Sequence, residues 1–243
     1  MIWEYGVQID DETDVGNKIY AVKRPNIPAP VQRFEEKRIP GRDGTLTIYD
    51  GSIEDISIYV EFNFMGKQEE WFDIFRKAKK WLLKKGERIL SFGDDTDFHY
   101  IVKRARIDTA ERVCYEIGKF TAEFICKGTH FYNSGKQKVD YKNILFNPGI
   151  FSQPIYKIIG EGMCTLTVNG KSITANVGQN LTIDTELMIS YREDGTLQNT
   201  AIKGNYEDLY LYEGENKITI TDGFECKVIP RWRCLSLKQR DRE

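Results

Sequence analysis

The feature that most constrains the fold is a stretch in which apolar and polar residues alternate strictly. From 56 to 64 every second residue is Ile, Val or Phe, and Ser, Tyr, Glu and Asn lie between them. A period of two residues predicts a long strand with one buried face. Asp50-Gly51 comes just before this strand and suits a two-residue hairpin turn, so we expect a partner strand over 46–49.

A different period follows, and it predicts one amphipathic helix from about 67 to 85. Six residues repeat at intervals of three and four positions: Trp71, Ile74, Phe75, Ala78, Trp81 and Leu82. Gly86 is a suitable residue to end this helix. The strand pattern then returns at 89–92, 100–107 and 119–126. The first half is therefore predicted to be a β-sandwich-like domain, residues 1–135, with one helix.

The second half is punctuated more often and predicts a further β-sandwich. The segment 136–150 is polar and contains the breaker cluster Asn147-Pro148-Gly149, which indicates a linker. Asn169-Gly170 predicts a hairpin between 164–168 and 171–173. Further strands are expected at 187–191, 209–212, 217–220 and 226–229, and no helix. The β domain would span 151–235, with a charged tail at 236–243.

Charge and cysteine content narrow the possible partners and surroundings. Thirty-five basic and 37 acidic residues leave a formal net charge of −2, which does not favour a nucleic-acid backbone or an anionic membrane as partner. No apolar run approaches a membrane span, and the first residues lack the pattern of a secretion signal. The five cysteines are widely spaced, so we expect buried free thiols in a soluble protein of a reducing cytoplasm.

Candidates for catalytic or metal chemistry are weak. His99 and His130 have no second ligand at metal-binding spacing. The acidic cluster of Asp94, Asp95 and Asp97 has the oxygen ligands that a hard cation prefers, but a polar turn between two strands is the favoured interpretation. We therefore predict no enzyme, no cofactor and no metal site. A cell-wall hydrolase remains an alternative only because a chain with this many acids offers many carboxylate pairs.

A sugar-binding role for the second half is the stronger alternative. Carbohydrate-binding sandwiches place an exposed aromatic ring flat against a sugar. Tyr206, Tyr210 and Tyr212 are the candidates, although core or interface positions explain them equally well.

Several short motifs are spread over nearly the whole chain. The first half carries Ile39-Pro-Gly41-Arg-Asp-Gly44-Thr-Leu46, the helix with Trp71 and Trp81, and Leu90-Ser-Phe92. The second half carries Asn147-Pro-Gly149, Pro154-Ile-Tyr-Lys-Ile158, Leu181-Thr-Ile183-Asp184-Thr-Glu186, Gly214-Glu-Asn216-Lys-Ile218 and Pro230-Arg231-Trp232. In this order and spacing, the segments together resemble the distal tail protein (Dit) family of siphophages.

The resemblance implies a structural protein that forms a hexameric ring at the tail tip. The N-terminal domains would form the ring, and the C-terminal domains would be galectin-like. The implied partners are further copies of the chain, the tail tube protein, the tail-associated tip protein and the receptor-binding or baseplate proteins. The protein would be made in the cytoplasm of the bacterial host and located at the tail tip. The particle could be an intact phage, a prophage product or a tail-like bacteriocin. Sugar binding is not implied, because the family's galectin-like domain often serves as a docking platform.

One turn is a candidate contact within such a ring. Gly41, Arg42, Asp43 and Gly44 form a short charged segment between two glycines. Fixed charges on a tight turn suit a contact at the rim of a ring, in which one surface of each subunit meets a different surface of the next. A simple surface turn is the equal alternative.

Overall fold

The computed structural model describes residues 6–140 and 143–235 and is mainly β, with curled sheets and one α-helix. This confirms the predicted fold class. The chain divides into two compact units, one up to His130 and one from Phe131 onward. The predicted charged tail, 236–243, lies outside the described residues.

Among the described residues, ten strands and the helix belong to the first part of the chain. They are β1 (Val7–Ile9), β2 (Glu12–Thr13), β3 (Tyr20–Ala21), β4 (Gln32–Arg38), β5 (Thr45–Ile53), β6 (Ile56–Met65), α1 (Trp71–Leu82), β7 (Arg88–Phe92), β8 (Asp95–Ile107), β9 (Glu111–Arg112) and β10 (Ile117–Tyr132).

Nine strands follow. They are β11 (Val139–Asp140), β12 (Ile144–Asn147), β13 (Ile155–Val168), β14 (Lys171–Asp184), β15 (Ile189–Tyr191), β16 (Ile202–Lys203), β17 (Gly214–Ile220), β18 (Glu225–Ile229) and β19 (Arg233–Cys234).

The first unit is built on a sheet in the order β2-β1-β7-β8-β10-β6-β3. The alternation that predicted β6 is confirmed, because its five apolar side chains are buried and the residues between them are partly or fully exposed. α1 covers this apolar face. The Phe64 and Trp71 rings lie 5.1 Å apart, and those of Phe75 and Phe120 lie 5.4 Å apart.

The helix is shorter than its apolar period predicted. It runs from 71 to 82 instead of about 67 to 85, and Leu83 N donates to Lys79 O to close the last turn. Gly86 has a positive φ of 96° but lies beyond the end of the helix. The predicted extensions at both ends are mostly charged or polar, and such residues are compatible with a helix but do not by themselves cause one to form. Among the described residues, no helix has the length and apolar character to cross a membrane.

The predicted hairpin between 46–49 and β6 is wrong. Residues 45–53 form one strand, β5, which pairs antiparallel with β4 and not with β6. Asp50-Gly51 lies inside β5, so these residues do not connect it to β6. β4 was missed because its residues, mostly charged, show no apolar alternation.

The second unit is centred on the hairpin of β13 and β14, which pair over their full length. Asn169 and Gly170 have φ values of 51° and 83° and form the predicted two-residue turn. On one side of this hairpin β13 pairs with β18 and β17. The segment 136–150, predicted as a linker, carries β11 and β12, which pair with β18 and β17.

The predicted strand at 209–212 is wrong. Tyr206–Leu209 form a short 3-10 helix, and Leu211 makes a single bridge to Ser152. Leu209 and Leu211 are buried, and Tyr212 is half exposed. This pattern resembles the alternation of a strand, but the segment has only the single bridge and no strand beside it.

Candidate functional site: an exposed two-stranded arm

β4 and β5 form an arm that is separate from the large sheets. Within the described residues they pair with each other and with no other strand. All seven residues of β4 are exposed. A two-stranded hairpin is marginally stable in water by itself, since it has little apolar surface to bury. The arm therefore lacks the stabilising layer that each main sheet has.

One face of the arm carries an aromatic pair. Phe34 lies directly opposite Tyr49, and their ring centroids are 6.0 Å apart. Tyr49 is 62 % exposed, and Phe34 is 49 % exposed. Side chains that face each other across a ladder project to the same side. The opposite face carries Ile48, also exposed, next to Glu35. Both faces thus present large apolar groups to solvent.

The predicted contact turn lies at the tip of this arm. The loop 39–44 joins the two strands, and Gly41 and Gly44 have φ values of 80° and 78°, which favour glycine. Arg42 and Asp43 are exposed, and within the described residues their side chains have no hydrogen-bond or ion-pair partner. Sequence reasoning found the turn but missed that it ends a freely exposed hairpin.

The candidate acidic site is a turn. Gly93 and Asp94 connect β7 to β8, and Phe92 pairs with Asp95 across them. Asp94 accepts a hydrogen bond from the Arg24 guanidinium, which neutralises its charge. Asp97 is exposed on β8. In the described part of the chain, no three His, Cys, Asp or Glu residues are grouped to hold a metal ion.

The two histidines are buried in the first unit. The ring of His130 lies 5.0 Å from that of Phe98 and 5.6 Å from that of Tyr100. Burial lowers the pKa of His130, because the charged imidazolium loses its hydration. His99 is 4 % exposed and also has interactions with the protein. Both histidines therefore serve the packing of the core.

Of the three candidate tyrosines, Tyr206 and Tyr210 are partly buried, and Tyr212 is exposed. Tyr206 is partly buried on a 3-10 helix against the core of the second unit. The Tyr210 hydroxyl accepts from Gln153 Nε2 at 3.1 Å, and its ring stacks on Phe151 at 5.9 Å. Tyr212 is exposed beyond them.

All five cysteines are free thiols, as predicted, but one differs in burial. Cys126, Cys164, Cys226 and Cys234 are buried, and Cys114 is exposed. Burial raises the pKa of Cys126 and of Cys226 to about 12, because the thiolate would be poorly solvated.

Two buried asparagines from the motifs of the second half, Asn147 and Asn216, donate hydrogen bonds to backbone carbonyl groups. Asn216 Nδ2 donates to Tyr212 O at 2.7 Å and to Gly214 O at 3.0 Å. Asn147 Nδ2 donates to Ile150 O at 2.7 Å. A buried polar side chain is stabilising when its partners are satisfied. These amides therefore fix backbone turns.

Two further motif segments meet in an ion pair. Arg231 donates through Nη1 and Nη2 to the two carboxylate oxygens of Asp184, at 2.8 and 2.9 Å. Asp184 Oδ1 also accepts from the backbone N–H groups of Glu186 and Leu187. This contact joins the end of β14 to the chain after β18.

Comparison with known proteins gives a match in fold. No protein-family model and no curated protein matches the chain. Among solved structures, the crystal structure of SPP1 Dit (gp 19.1) superimposes with a TM-score of 0.68. The match covers 92 % of this chain and 97 % of that chain at 14 % sequence identity. That protein is described as a paradigm of the hub adsorption apparatus in phages that infect Gram-positive hosts. The resemblance to the Dit family is thus confirmed at the level of the fold.

Proposed function

We propose that this chain is a structural protein of a phage tail tip, which forms a hexameric ring and joins the tail tube to the baseplate or receptor-binding apparatus. The likeness in fold to SPP1 Dit supports the tail location. The observation that carries the proposal is the arm, β4 and β5, on which Phe34, Tyr49 and Ile48 are exposed large apolar side chains. The proposed role needs no catalytic step.

A ring requires that one surface of a subunit meets a different surface of the next. The arm provides such a surface, because its outer strand edges have unpaired backbone groups that can bind a neighbouring chain. Burial of Phe34, Tyr49 and Ile48 against a second copy would contribute about 1 kcal/mol or more for each side chain, since each is about half exposed at the start.

The tip of the arm would add charged contacts. Arg42 and Asp43 have no partner within the described part of the chain, so both are available to a neighbouring subunit. Exposed ion pairs contribute little stability but favour one orientation of the partners over others. We therefore assign the turn 41–44 to the ring interface.

The proposed partners outside the ring are the tail tube protein, the tail-associated tip protein and the receptor-binding or baseplate proteins. The protein would be made in the cytoplasm of the bacterial host and be located at the tail tip of the particle. The second unit would be the galectin-like domain.

The test is assembly of the full chain, with and without the arm's aromatic pair. The wild type should elute at a multiple of the monomer mass and show six-fold rings by negative-stain electron microscopy, alone or with its tail partners. The double variant Phe34→Ser/Tyr49→Ser should no longer assemble into hexameric rings, because these two aromatic side chains are the largest apolar groups on one face of the arm. Both positions are exposed and lie on the arm, so the fold of the two main sheets should be unchanged.

Tyr212→Ser is the matched control. Tyr212 is 50 % exposed and lies in the second unit, so its replacement should leave the ring intact. A strictly monomeric wild type at high concentration, with no ring in tail particles, would contradict the proposal. Normal rings from the arm variant would contradict the assignment of the arm.

A further inference from the structure

A groove in the second unit lies where β14 lacks a neighbouring strand along part of one edge. β14 pairs with β13 along its first edge. Along its second edge, Thr174 and Ala175 pair with β16, and residues 182–184 pair with β15. Among the described residues, no strand pairs with 176–181 on this side. The resulting groove has a volume of about 500 Å³.

The loop 192–201 forms the outer wall of the groove. Glu193 N donates to Asn180 Oδ1 at 2.8 Å, and Gln198 N donates to Ser190 O at 2.7 Å. These two bonds hold the ends of the loop close to the sheet. The wall is therefore fixed at its attachment to β14 and β15.

The floor of the groove is shaped by a position without a side chain. The Arg192 guanidinium lies over Gly178, where an added Cβ would approach Arg192 Nη2 to 2.6 Å. The backbone is irregular at the same place, since Gly160, Gly162 and Gln179 have positive φ. Because Gly178 has no side chain, the Arg192 guanidinium can lie close to the backbone of β14.

The lining is polar and carries more positive than negative charge. Arg192 and Lys203 supply two cations, Glu161 supplies one carboxylate, and Asn176 and Gln198 supply amides. Within the described residues these side chains make no hydrogen bond and no ion pair shorter than 4 Å with the protein, although Arg192 interacts electrostatically with the exposed Asp194 carboxylate. Their donors and acceptors are therefore free to bind a ligand.

This combination fits one class of ligand. A guanidinium binds carboxylate or phosphate oxygens in pairs, and amides bind hydroxyl groups as both donor and acceptor. The volume lies within the range of small-molecule sites. Met163 is 61 % exposed in the groove and offers an apolar surface to the carbon skeleton of a ligand.

We propose that this groove binds an acidic saccharide, a sugar or polyol that carries carboxylate or phosphate groups. Arg192 and Lys203 hold the anionic group, and Asn176, Gln198 and Thr200 bind the hydroxyls. The site is separate from the aromatic residues Tyr206, Tyr210 and Tyr212, which do not line the groove.

The test is ligand binding to the full chain, measured by calorimetry and by saturation-transfer NMR at millimolar concentration. Trigalacturonate is the carboxylate probe, glycerol 3-phosphate is the phosphate probe, and maltotriose is the neutral probe. Binding of either acid in preference to maltotriose supports the proposal and identifies the anionic group. Absence of binding by both acids, or equal binding of maltotriose, would overturn it.

Variants locate the site. Arg192→Gln and Lys203→Gln should each weaken binding of the acidic probe about tenfold, which is the loss of one charge-assisted contact. Thr200→Trp should abolish binding, because the indole would fill the groove without a change in charge. All three positions are exposed, so thermal unfolding should be unchanged.

Lys217→Gln is the control. It removes an exposed cation of the same unit that does not line the groove, so affinity should be unchanged. Binding that Arg192→Gln and Thr200→Trp leave unaffected would place the ligand elsewhere and overturn the assignment. None of these outcomes depends on whether the chain forms rings.

Discussion

The ion pair of Arg231 and Asp184 predicts that its two halves contribute unequally to stability. Asp184 is 2 % exposed, and with Arg231 removed its carboxylate loses the cation paired with it and keeps only the backbone N–H groups of Glu186 and Leu187. Arg231→Ala should therefore lower the free energy of unfolding by about 3–5 kcal/mol, the usual cost of leaving a buried charge unpaired.

The reverse change should be milder. In Asp184→Asn the amide oxygen can still accept from the two backbone N–H groups, and Arg231, whose side chain is 26 % exposed, can recover hydration. The expected loss is about 1–3 kcal/mol, that of a hydrogen bond to a charged group. The asymmetry follows from the burial of Asp184 and from two further contacts of Arg231, with Glu186 and with Gln153 O, which only Arg231→Ala removes.

Urea unfolding of the full chain, followed by circular dichroism, measures both losses, and hydrogen exchange of the peptide 178–191 shows that the second unit opens. Lys227→Gln is the matched control, because its pairing with Asp140 at 3.9 Å is exposed and should contribute less than about 0.5 kcal/mol. If Arg231→Ala costs no more than this control, or less than Asp184→Asn, the reasoning from burial is wrong.

Three further predictions concern the first unit. Gly128→Ala should destabilise it by about 1–3 kcal/mol in urea unfolding, because the new Cβ would lie 2.0 Å from Glu54 O; an unchanged midpoint would show that the backbone moves apart at no cost. Glu123 has a pKa below its ordinary value of 4.5, chiefly because Ser57 donates a hydrogen bond to it, so its contribution is complete above the unfolded pKa and is lost as pH falls through the folded pKa. Glu123→Gln should therefore lower the free energy of unfolding at neutral pH but not in acid. An equal loss of stability at both pH values would refute the linkage. A thiol reagent should label Cys114 first in the folded protein, and peptide mapping that finds buried thiols labelled equally fast would contradict their burial.

The sequence predicts an element well where its apolar period agrees with the face that becomes buried. β6 is such a case, because every second residue enters one core. The Asn169-Gly170 hairpin is another, since its turn chemistry is local and has few alternatives. The middle of α1 follows for the same reason, while its ends depend on charged residues that do not mark a boundary.

The arm could not be predicted in the same way. β4 has no buried residue, so no periodicity marks it, and Asp50-Gly51 resembled a turn although it lies inside β5. The interpretation of the tip at 41–44 needed only local glycine chemistry and is retained in the proposed interface. No pattern in the sequence marks β4 as the strand that pairs with β5.

The groove was invisible to sequence reasoning for a different reason. Its side chains come from β13, β14, β16 and the loop between β15 and β16, so no short motif contains them. Gly178 and Arg192 meet only because β14 lacks a neighbouring strand at 176–181. A site assembled from distant segments becomes recognisable only when the sheet order is known.

The long hairpin of β13 and β14 has a consequence for the kinetics of refolding. Its fourteen residue pairs all close around one two-residue turn, so each pair forms with a small loss of chain entropy once the preceding pair exists. The ladder of β6 and β10 joins partners such as Ile56 and Cys126, which are far apart along the chain. Low contact order speeds folding. After dilution from denaturant, the β13–β14 ladder should therefore acquire amide protection before the β6–β10 ladder does.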